Sequence, residues 1–226
     1  FENGRYVLKQ SAAREGGGDT NPCYPLAYIK LVLKACVDVA GEMGVKVERR
    51  QKWQHIISHM RAYPTMKVNG MTVFKEAESL DKPVLKGPGD NCSLLQTIHP
   101  GEVINLGSDP LLIKTARNTI AYLNSNPKNL SWNQGNNFPQ IFTQAARVGW
   151  DAEDLFQRRK TRSGNEMRTN LTVQQGGGGI ETSGATEAIH SMLLQGHEGV
   201  LRLFPAWPRT RDASFTTLRA YGAFLV

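Results

Sequence analysis

The chain has little of what marks several protein classes. Its 226 residues contain only three cysteines, Cys23, Cys36 and Cys92, and no Cys-x-x-Cys pair, so neither a disulfide scaffold nor a zinc ribbon is expected. No apolar run reaches the roughly 18 residues of a membrane span, because lysine and acidic residues interrupt the richest stretch, 24–43. A Gly-x-Ser-x-Gly elbow, a Gly-Lys-Ser/Thr phosphate loop and a dinucleotide fingerprint are also missing.

The ends of the chain suggest a piece of a longer protein. The sequence begins at Phe1 without methionine or a signal peptide, and it stops in the apolar run 223–226. With 40% apolar and 8% aromatic residues, what lies between can bury a sizeable core and is not a disordered low-complexity chain.

A formal net charge of +7 raises the possibility of nucleic-acid binding. The densest basic cluster, 158–162, is however flanked by Glu153, Asp154 and Glu166, and no aromatic residues alternate with it. This pattern is more typical of a solvated helix face than of a phosphate-binding patch. We therefore expect no nucleic-acid partner.

Helical patterns dominate the first 198 residues. Apolar residues recur at helical spacing over 26–40, and Gly44 is a natural stop. A second helix is predicted over 47–60, and the tight break between the two favours an antiparallel hairpin. Further helices are predicted over 109–124, 138–149, 151–162 and 183–195. The first of them is preceded by a capping residue and begins with a proline, at 108–110.

Strands are predicted in fewer places. A short strand is expected over 5–8, and a β-hairpin over 66–74 turns at Asn69-Gly70. Beyond Gly199 the pattern changes to strands at 200–204, 215–218 and 221–226. We accordingly expect a mainly α protein with helices over 1–198 and the start of a β segment over 199–226.

Long polar loops between helix pairs favour an α/α toroid. A helical bundle prefers shorter connections, and a repeat adaptor would show a fixed-period motif, which this sequence lacks. Both architectures stay open as alternatives.

Two loop carboxylates, Glu15 and Glu181, are set among glycines far apart in the sequence. Glycosidases need two carboxyl groups that flank the scissile bond, one protonated and one ionised. The alternative is a pair of solvated acids. His55 and His59 have the spacing of metal ligands on a helix, but no third ligand accompanies them, so we expect ordinary histidines, no metal and no cofactor.

Three ordered runs near the end of the chain resemble the end of the catalytic domain in glycoside hydrolase family 95, which contains α-L-fucosidases and α-L-galactosidases. They are 187–199 (EAIHSMLLQGHEG), 201–208 (LRLFPAWP) and 218–224 (LRAYGAF). Upstream, 99–101 (HPG) is similar to the family's histidine-bearing loop that ends in Pro-Gly. The segment 129–132 is similar to a loop that carries a tryptophan.

The resemblance implies an (α/α)6 barrel and inverting hydrolysis of α-linked fucosides or galactosides. Glu15 matches the family's general acid in a Ser-x-Ser-Pro-Glu loop, although Arg14 stands where the family has proline. Glu181 matches the second carboxylate with a shift of about one residue. His99, Trp132 and Asn133 are the implied substrate-binding residues.

The resemblance makes residues 1–198 a partial (α/α)6 barrel catalytic domain, and we expect the family's first barrel half to lie before Phe1. We therefore expect little activity from this piece alone, and self-association through an exposed half-barrel. The resemblance also implies a glycan substrate and a secreted or periplasmic location. We expect the segments of Glu15, His99, Trp132 and Glu181 to converge on one concave face. The alternatives are a carbohydrate-binding relative that has lost catalysis and a helical interaction module.

Overall fold

A computed structural model describes residues 1–13, 17–84, 93–125, 132, 138–166 and 180–226. Over these ranges the protein is mainly helical, as the sequence predicts. The helices are α1 (Cys23–Glu42), α2 (Val47–His59), α3 (Pro110–Ser125), α4 (Phe138–Arg147), α5 (Ala152–Glu166) and α6 (Ile180–Leu193). The strands are β1 (Thr65–Val68), β2 (Met71–Phe74), β3 (Leu194–His197) and β4 (Val200–Leu203), and a single 3₁₀ turn spans Ser93–Leu95.

The local signals at three boundaries act as predicted. Gly44 adopts φ +65° just beyond α1, where its amide donates to the Gly41 carbonyl at 3.1 Å, a left-handed helix end that suits glycine. Asn69 and Gly70 both have positive φ between β1 and β2, the geometry of a type I′ hairpin. At α3 the Asp109 carboxylate accepts from the Leu111 amide at 2.7 Å, which caps the helix before its first residue, Pro110.

The core lies around α3, α4 and α6. Apolar side chains from these helices pack against the 3₁₀ turn and β2. Its largest fully buried members are Phe74, Leu94, Leu95, Ile98, Ile104, Ile120, Ile141, Phe142, Leu155 and Met192. Helices α4 and α6 make the most extensive helix contact, and α3 packs on β2. The Phe74 amide also donates to Thr119 Oγ1 at 2.9 Å, so a hydrogen bond fixes the hairpin on α3.

The α1–α2 hairpin is less deeply seated. Helix α2 contains no fully buried residue, and α1 is buried mainly near its ends. Several large apolar residues of the pair are exposed, including Val32 and Val39 on α1. Among the described residues, no helix has the length and apolarity needed to cross a membrane.

Two predicted strands in the tail are wrong. Residues 215–218 and 221–226 form no regular strand, although Leu218 and Val226 exchange backbone hydrogen bonds at 3.0 and 2.9 Å. The reason is local backbone geometry, because Thr217, Gly222 and Ala223 have positive φ, which interrupts an extended ladder. The result is an irregular hairpin, called here the terminal hairpin (218–226).

The strand predicted over 5–8 is also wrong. The segment makes isolated bridges only, one of them between Tyr6 and Met60. The first residues of the chain are therefore tied to the end of α2 rather than to a sheet.

The loop that follows the 3₁₀ turn folds tightly on itself. The Gly101 amide donates to the Gln96 carbonyl at 2.8 Å, and Val103 and Ile104 both donate to the Thr97 carbonyl, at 3.0 and 3.1 Å. A Cβ at position 101 would overlap the Gln96 oxygen. Glycine is therefore required for this turn, which carries His99 on one side and Glu102 on the other.

We expect Gly101→Ala to lower the free energy of unfolding by about 1–3 kcal/mol, the usual cost of forcing a methyl group against fixed backbone. Urea denaturation of the purified chain measures it. Gly164→Ala is the matched control, because Gly164 is exposed in α5 and no atom lies within 4 Å of the place that the added methyl group would take. That control should stabilise the chain by roughly 0.5–1 kcal/mol. Equal effects of the two substitutions would contradict the steric argument.

Candidate functional site

A polar stripe on α4 forms the centre of the candidate site. Gln140, Thr143, Gln144 and Arg147 follow one another at helical spacing, while Ile141 and Ala145 belong to the apolar core. Thr143 and Gln144 are fully buried, and Arg147 is 7% exposed. Because buried polar side chains are costly without partners, a stripe of this kind indicates a polar structure built against it.

Arg147 binds two carboxylates from different parts of the chain. Its Nη1 lies 2.9 Å from Glu102 Oε1, and its Nη2 lies 2.9 Å from Glu187 Oε1. Ser191 Oγ donates to the same Glu187 oxygen at 3.0 Å and lies 3.4 Å from Arg147 Nε. The planar guanidinium is suited to bridging two acceptors. It thereby joins the 96–105 loop, α4 and α6 in one network, called here the Arg147 network (Glu102, Arg147, Glu187 and Ser191).

Glu102 reaches this network from a constrained backbone. Its φ is +52°, a left-handed conformation that is uncommon for residues other than glycine and asparagine. Such conformations cost of order 1–3 kcal/mol and persist where surrounding contacts impose them. The neighbouring turn at Gly101 and the ion pair with Arg147 supply those contacts.

Three histidines surround the Arg147 network. His190 Nδ1 lies 3.4 Å from Glu187 Oε2. Burial, reinforced by the positive charge of Arg147, lowers the pKa of His99 to about 4, against the opposing influence of Glu187 and Glu102. The same two causes lower the pKa of His197. At neutral pH, His99 and His197 are therefore uncharged and can both donate and accept hydrogen bonds.

A cavity of about 210 Å³ opens over the Arg147 network. All but two of its twelve lining residues come from the runs 187–199 and 218–224, and the other two are Glu102 and Arg147. Arg219 and Tyr221 of the terminal hairpin form its outer edge. The arrangement is a polar cavity with charged, planar and hydroxyl-bearing side chains, which suits a hydroxyl-rich ligand.

Buried polar atoms without partners add to this picture. Gln195 is 3% exposed, and its Nε2 donates to the carbonyls of Ser191 and Ala146 at 2.8 and 3.0 Å. Its Oε1 has no hydrogen-bond partner within the described ranges, and the same holds for His99 Nδ1. Such groups in a native structure call for a water or a ligand.

The structure distributes the predicted site residues unevenly. His99 lies beside the Arg147 network, and its carbonyl accepts from Gln144 Nε2 at 2.9 Å. Trp132 lies in the core at 3% exposure, edge-on to Phe142 with 5.1 Å between ring centroids. Glu15 and Asn133 lie outside the described residues, as does the glycine run 176–179. The predicted convergence of the four segments thus stays a prediction.

Glu181 is not a loop residue. Helix α6 begins at Ile180, three residues before the predicted start, so Glu181 lies in its first turn. Acidic residues are favourable there because they complement the helix dipole. Glu181 precedes Glu187 by six residues, a rise of roughly 9 Å along the helix. Glu181 therefore lies in the first turn of α6, whereas the cavity lies along the second half of the helix.

Arg147 was missed by sequence reasoning, although a signal was available. The polar stripe of α4 repeats at the same spacing as its apolar face, and an arginine at the end of such a stripe is a candidate for a buried ion pair. Glu187 stood within the run 187–199 without an assigned role. Within the described residues, no three His, Cys, Asp or Glu side chains lie together as a metal site would require.

No family model and no curated protein matches the chain.

Removing Arg147 should be costly because it leaves two carboxylates facing each other. We expect Arg147→Met to lower the free energy of unfolding by about 2–3 kcal/mol. This is below the roughly 3–5 kcal/mol of a fully buried ion pair, because both carboxylates are about one third exposed. Lys34→Met is the control, because the Lys34–Asp38 pair is exposed and should contribute less than about 1 kcal/mol. Equal losses in urea denaturation would count against the network.

The lowered pKa of His99 predicts a pH dependence of stability. Between its unfolded value near 6.5 and its folded value of about 4, the unfolded chain binds more protons, so the free energy of unfolding falls as the pH falls through this window. His99→Gln should flatten the fall by up to about 3 kcal/mol, measured by urea denaturation at a series of pH values from 7 to 4. An unchanged pH profile would show that His99 is not held neutral by the fold.

Proposed function

We propose that the chain is part of a glycoside hydrolase that cleaves α-linked sugars, of the fucoside or galactoside type, by an inverting mechanism. One observation carries the proposal. The runs that resemble glycoside hydrolase family 95 supply nearly all of the residues that line the polar cavity.

The proposed architecture is part of an (α/α)6 barrel, followed by β structure from 199 onward. Support comes from the α1–α2 pair, from the close packing of α4 on α6 and from the β3–β4 hairpin after the last helix. The exposed apolar side chains of α1 fit a domain that is completed by further chain or by self-association.

In this proposal Glu15 is the general acid and Glu181 activates the attacking water. Inverting enzymes separate the two carboxyl groups by roughly 6.5–9.5 Å to leave room for that water. The neutral His99, with its unpartnered Nδ1, would accept a hydrogen bond from a sugar hydroxyl, and Asn133 would add a further polar contact. Trp132 would support the wall of the site from the core, since its ring is covered by Phe142 and Arg158.

The alternative is a carbohydrate-binding relative without catalysis. The arrangement of the Arg147 network favours it, because both carboxylates in the cavity bind Arg147 rather than face each other across an open space. A cavity of this kind can hold a sugar without offering an acid and a base.

The basic cluster 158–162 gives little support to nucleic-acid binding. Arg158 pairs with Asp154 at 2.8 Å and lies over the Trp132 ring. Arg159 is 8% exposed and lies over Phe142. Two guanidinium groups of the cluster therefore contact the protein, which leaves no continuous basic stripe for phosphates.

A glycan substrate and a secreted or periplasmic location remain part of the proposal.

The proposal is tested by leaving-group dependence in the protein expressed from its complete coding sequence. Glu15→Gln should lower kcat/KM by about 10²–10⁴ for an alkyl α-L-fucoside, which needs protonation of its leaving group, and far less for an aryl fucoside with a good leaving group. Glu181→Gln should slow both substrates alike, because both need an activated water. Glu48→Gln, at the exposed start of α2, should change neither.

Equal losses on both substrates in Glu15→Gln would remove Glu15 from the acid role. Unchanged rates in Glu181→Gln would assign the base to another residue. If the unmodified protein binds sugars but hydrolyses neither substrate, the binding alternative replaces the proposal.

A further inference from the structure

A second cavity adjoins the one over the Arg147 network. It measures about 430 Å³ and lies between α1 and the β3–β4 turn. The two cavities share four lining residues, Glu102, Gly196, His197 and Tyr221. They are therefore neighbouring parts of one groove, which runs from Lys30 and Lys34 on α1 to Arg219 on the terminal hairpin.

Tyr221 stands at the junction of the two cavities and is 78% exposed. Its position depends on Gly196, because a Cβ there would lie 3.1 Å from the Tyr221 amide nitrogen and 3.4 Å from Ala220 Cβ. The missing side chain lets the terminal hairpin lie directly on β3. An exposed ring fixed at the edge of a polar groove presents an apolar face beside hydrogen-bonding groups.

The charges of the groove are mostly paired within it. Arg147 pairs with Glu102 and Glu187, and Lys34 pairs with Asp38 at 2.9 Å. Lys30 lies over the Tyr63 ring, 4.2 Å from its centroid. A groove with internally balanced charge favours a neutral ligand that is rich in hydroxyl groups over a polyanion.

Gln195, which lines the smaller of the two cavities, supplies a buried acceptor. Its Oε1 has no partner among the described residues, while its Nε2 is held by two carbonyls. A ligand hydroxyl that donates to this oxygen would remove the cost of an unsatisfied buried group. The groove thus combines an exposed aromatic ring, mostly paired charges and a buried acceptor that no described residue satisfies.

We propose that this groove is a non-catalytic binding site for a neutral oligosaccharide, with one sugar ring stacked on Tyr221 and one hydroxyl donating to Gln195. The choice of an oligosaccharide as ligand rests on the proposed function, whereas the location of the site rests on the two cavities and on Tyr221. The groove lies along the second half of α6, beginning roughly 9 Å of helix rise beyond Glu181, so it would hold a part of the glycan away from the bond that is cleaved.

Isothermal titration calorimetry of the 226-residue chain tests the site. The probes are neutral oligosaccharides of two to four units, some ending in α-linked fucose or galactose, and matched oligosaccharides that carry a uronic acid. We expect a neutral probe to bind with an affinity that hardly changes between 50 and 500 mM salt. Tyr221→Ala should weaken binding about tenfold, and Tyr221→Phe should retain it, because the ring makes the contact.

Two further variants test the geometry. Gly196→Ala should weaken binding as Tyr221→Ala does, because it displaces the terminal hairpin. Phe224→Ala is the matched control, an exposed aromatic residue of the same hairpin that lines neither cavity, and it should leave the affinity unchanged.

The outcomes separate this proposal from the proposed function. Binding lost in Glu181→Gln but kept in Tyr221→Ala would place the sugar at the predicted catalytic end and overturn the groove, while the hydrolase proposal stands. If only acidic probes bind, and their affinity falls steeply with salt, the ligand is not neutral and that part of the proposal is wrong. If no probe binds, the groove is not an oligosaccharide site. Hydrolysis lost in Glu15→Gln with unchanged calorimetric binding would support both proposals.

Discussion

The described structure depends on one buried cation. Arg147 ends helix α4 in the interior, where an unpaired guanidinium would be very costly, and it is stabilised by carboxylates from the 96–105 loop and from α6. This requirement constrains three parts of the chain at once. Glu102 is held with positive φ, Glu187 must face inward, and α4 and α6 must pack closely. The cavity results from the same arrangement, because the side chains of the Arg147 network form part of its lining.

The same constraint gives the cavity its chemistry. Burial, reinforced by the positive charge of Arg147, disfavours protonation of the neighbouring imidazoles, so the pKa of His99 is lowered to about 4 and the ring stays neutral above it. Glu102 and Glu187 each direct one carboxylate oxygen to Arg147, and Ser191 donates to that same oxygen of Glu187. Arg219 and the exposed Tyr221 form the outer edge of the cavity, so both charged and neutral side chains remain for a ligand.

Local signals made much of the fold predictable. The helix end at Gly44, the hairpin at Asn69-Gly70 and the cap at Asp109 each depend on neighbouring residues, so the sequence alone was sufficient. The tail was harder, since positive φ at Thr217 and Ala223 is imposed by contacts that no local pattern reveals. The Arg147 network joins residues 40 and 45 positions apart, and such long-range pairing is not encoded by periodicity. His99 was found because of its Pro-Gly context, whereas Arg147 had only the polar stripe of α4 to indicate it.

The most direct measurement is a crystal structure of the protein bound to a neutral oligosaccharide. The account predicts one sugar ring stacked on Tyr221, a hydroxyl within hydrogen-bond distance of Gln195 Oε1, and an Arg147 network with its two carboxylates still in place. An oligosaccharide bound elsewhere on the surface, with the groove empty and Arg147 separated from Glu102 or Glu187, would contradict it.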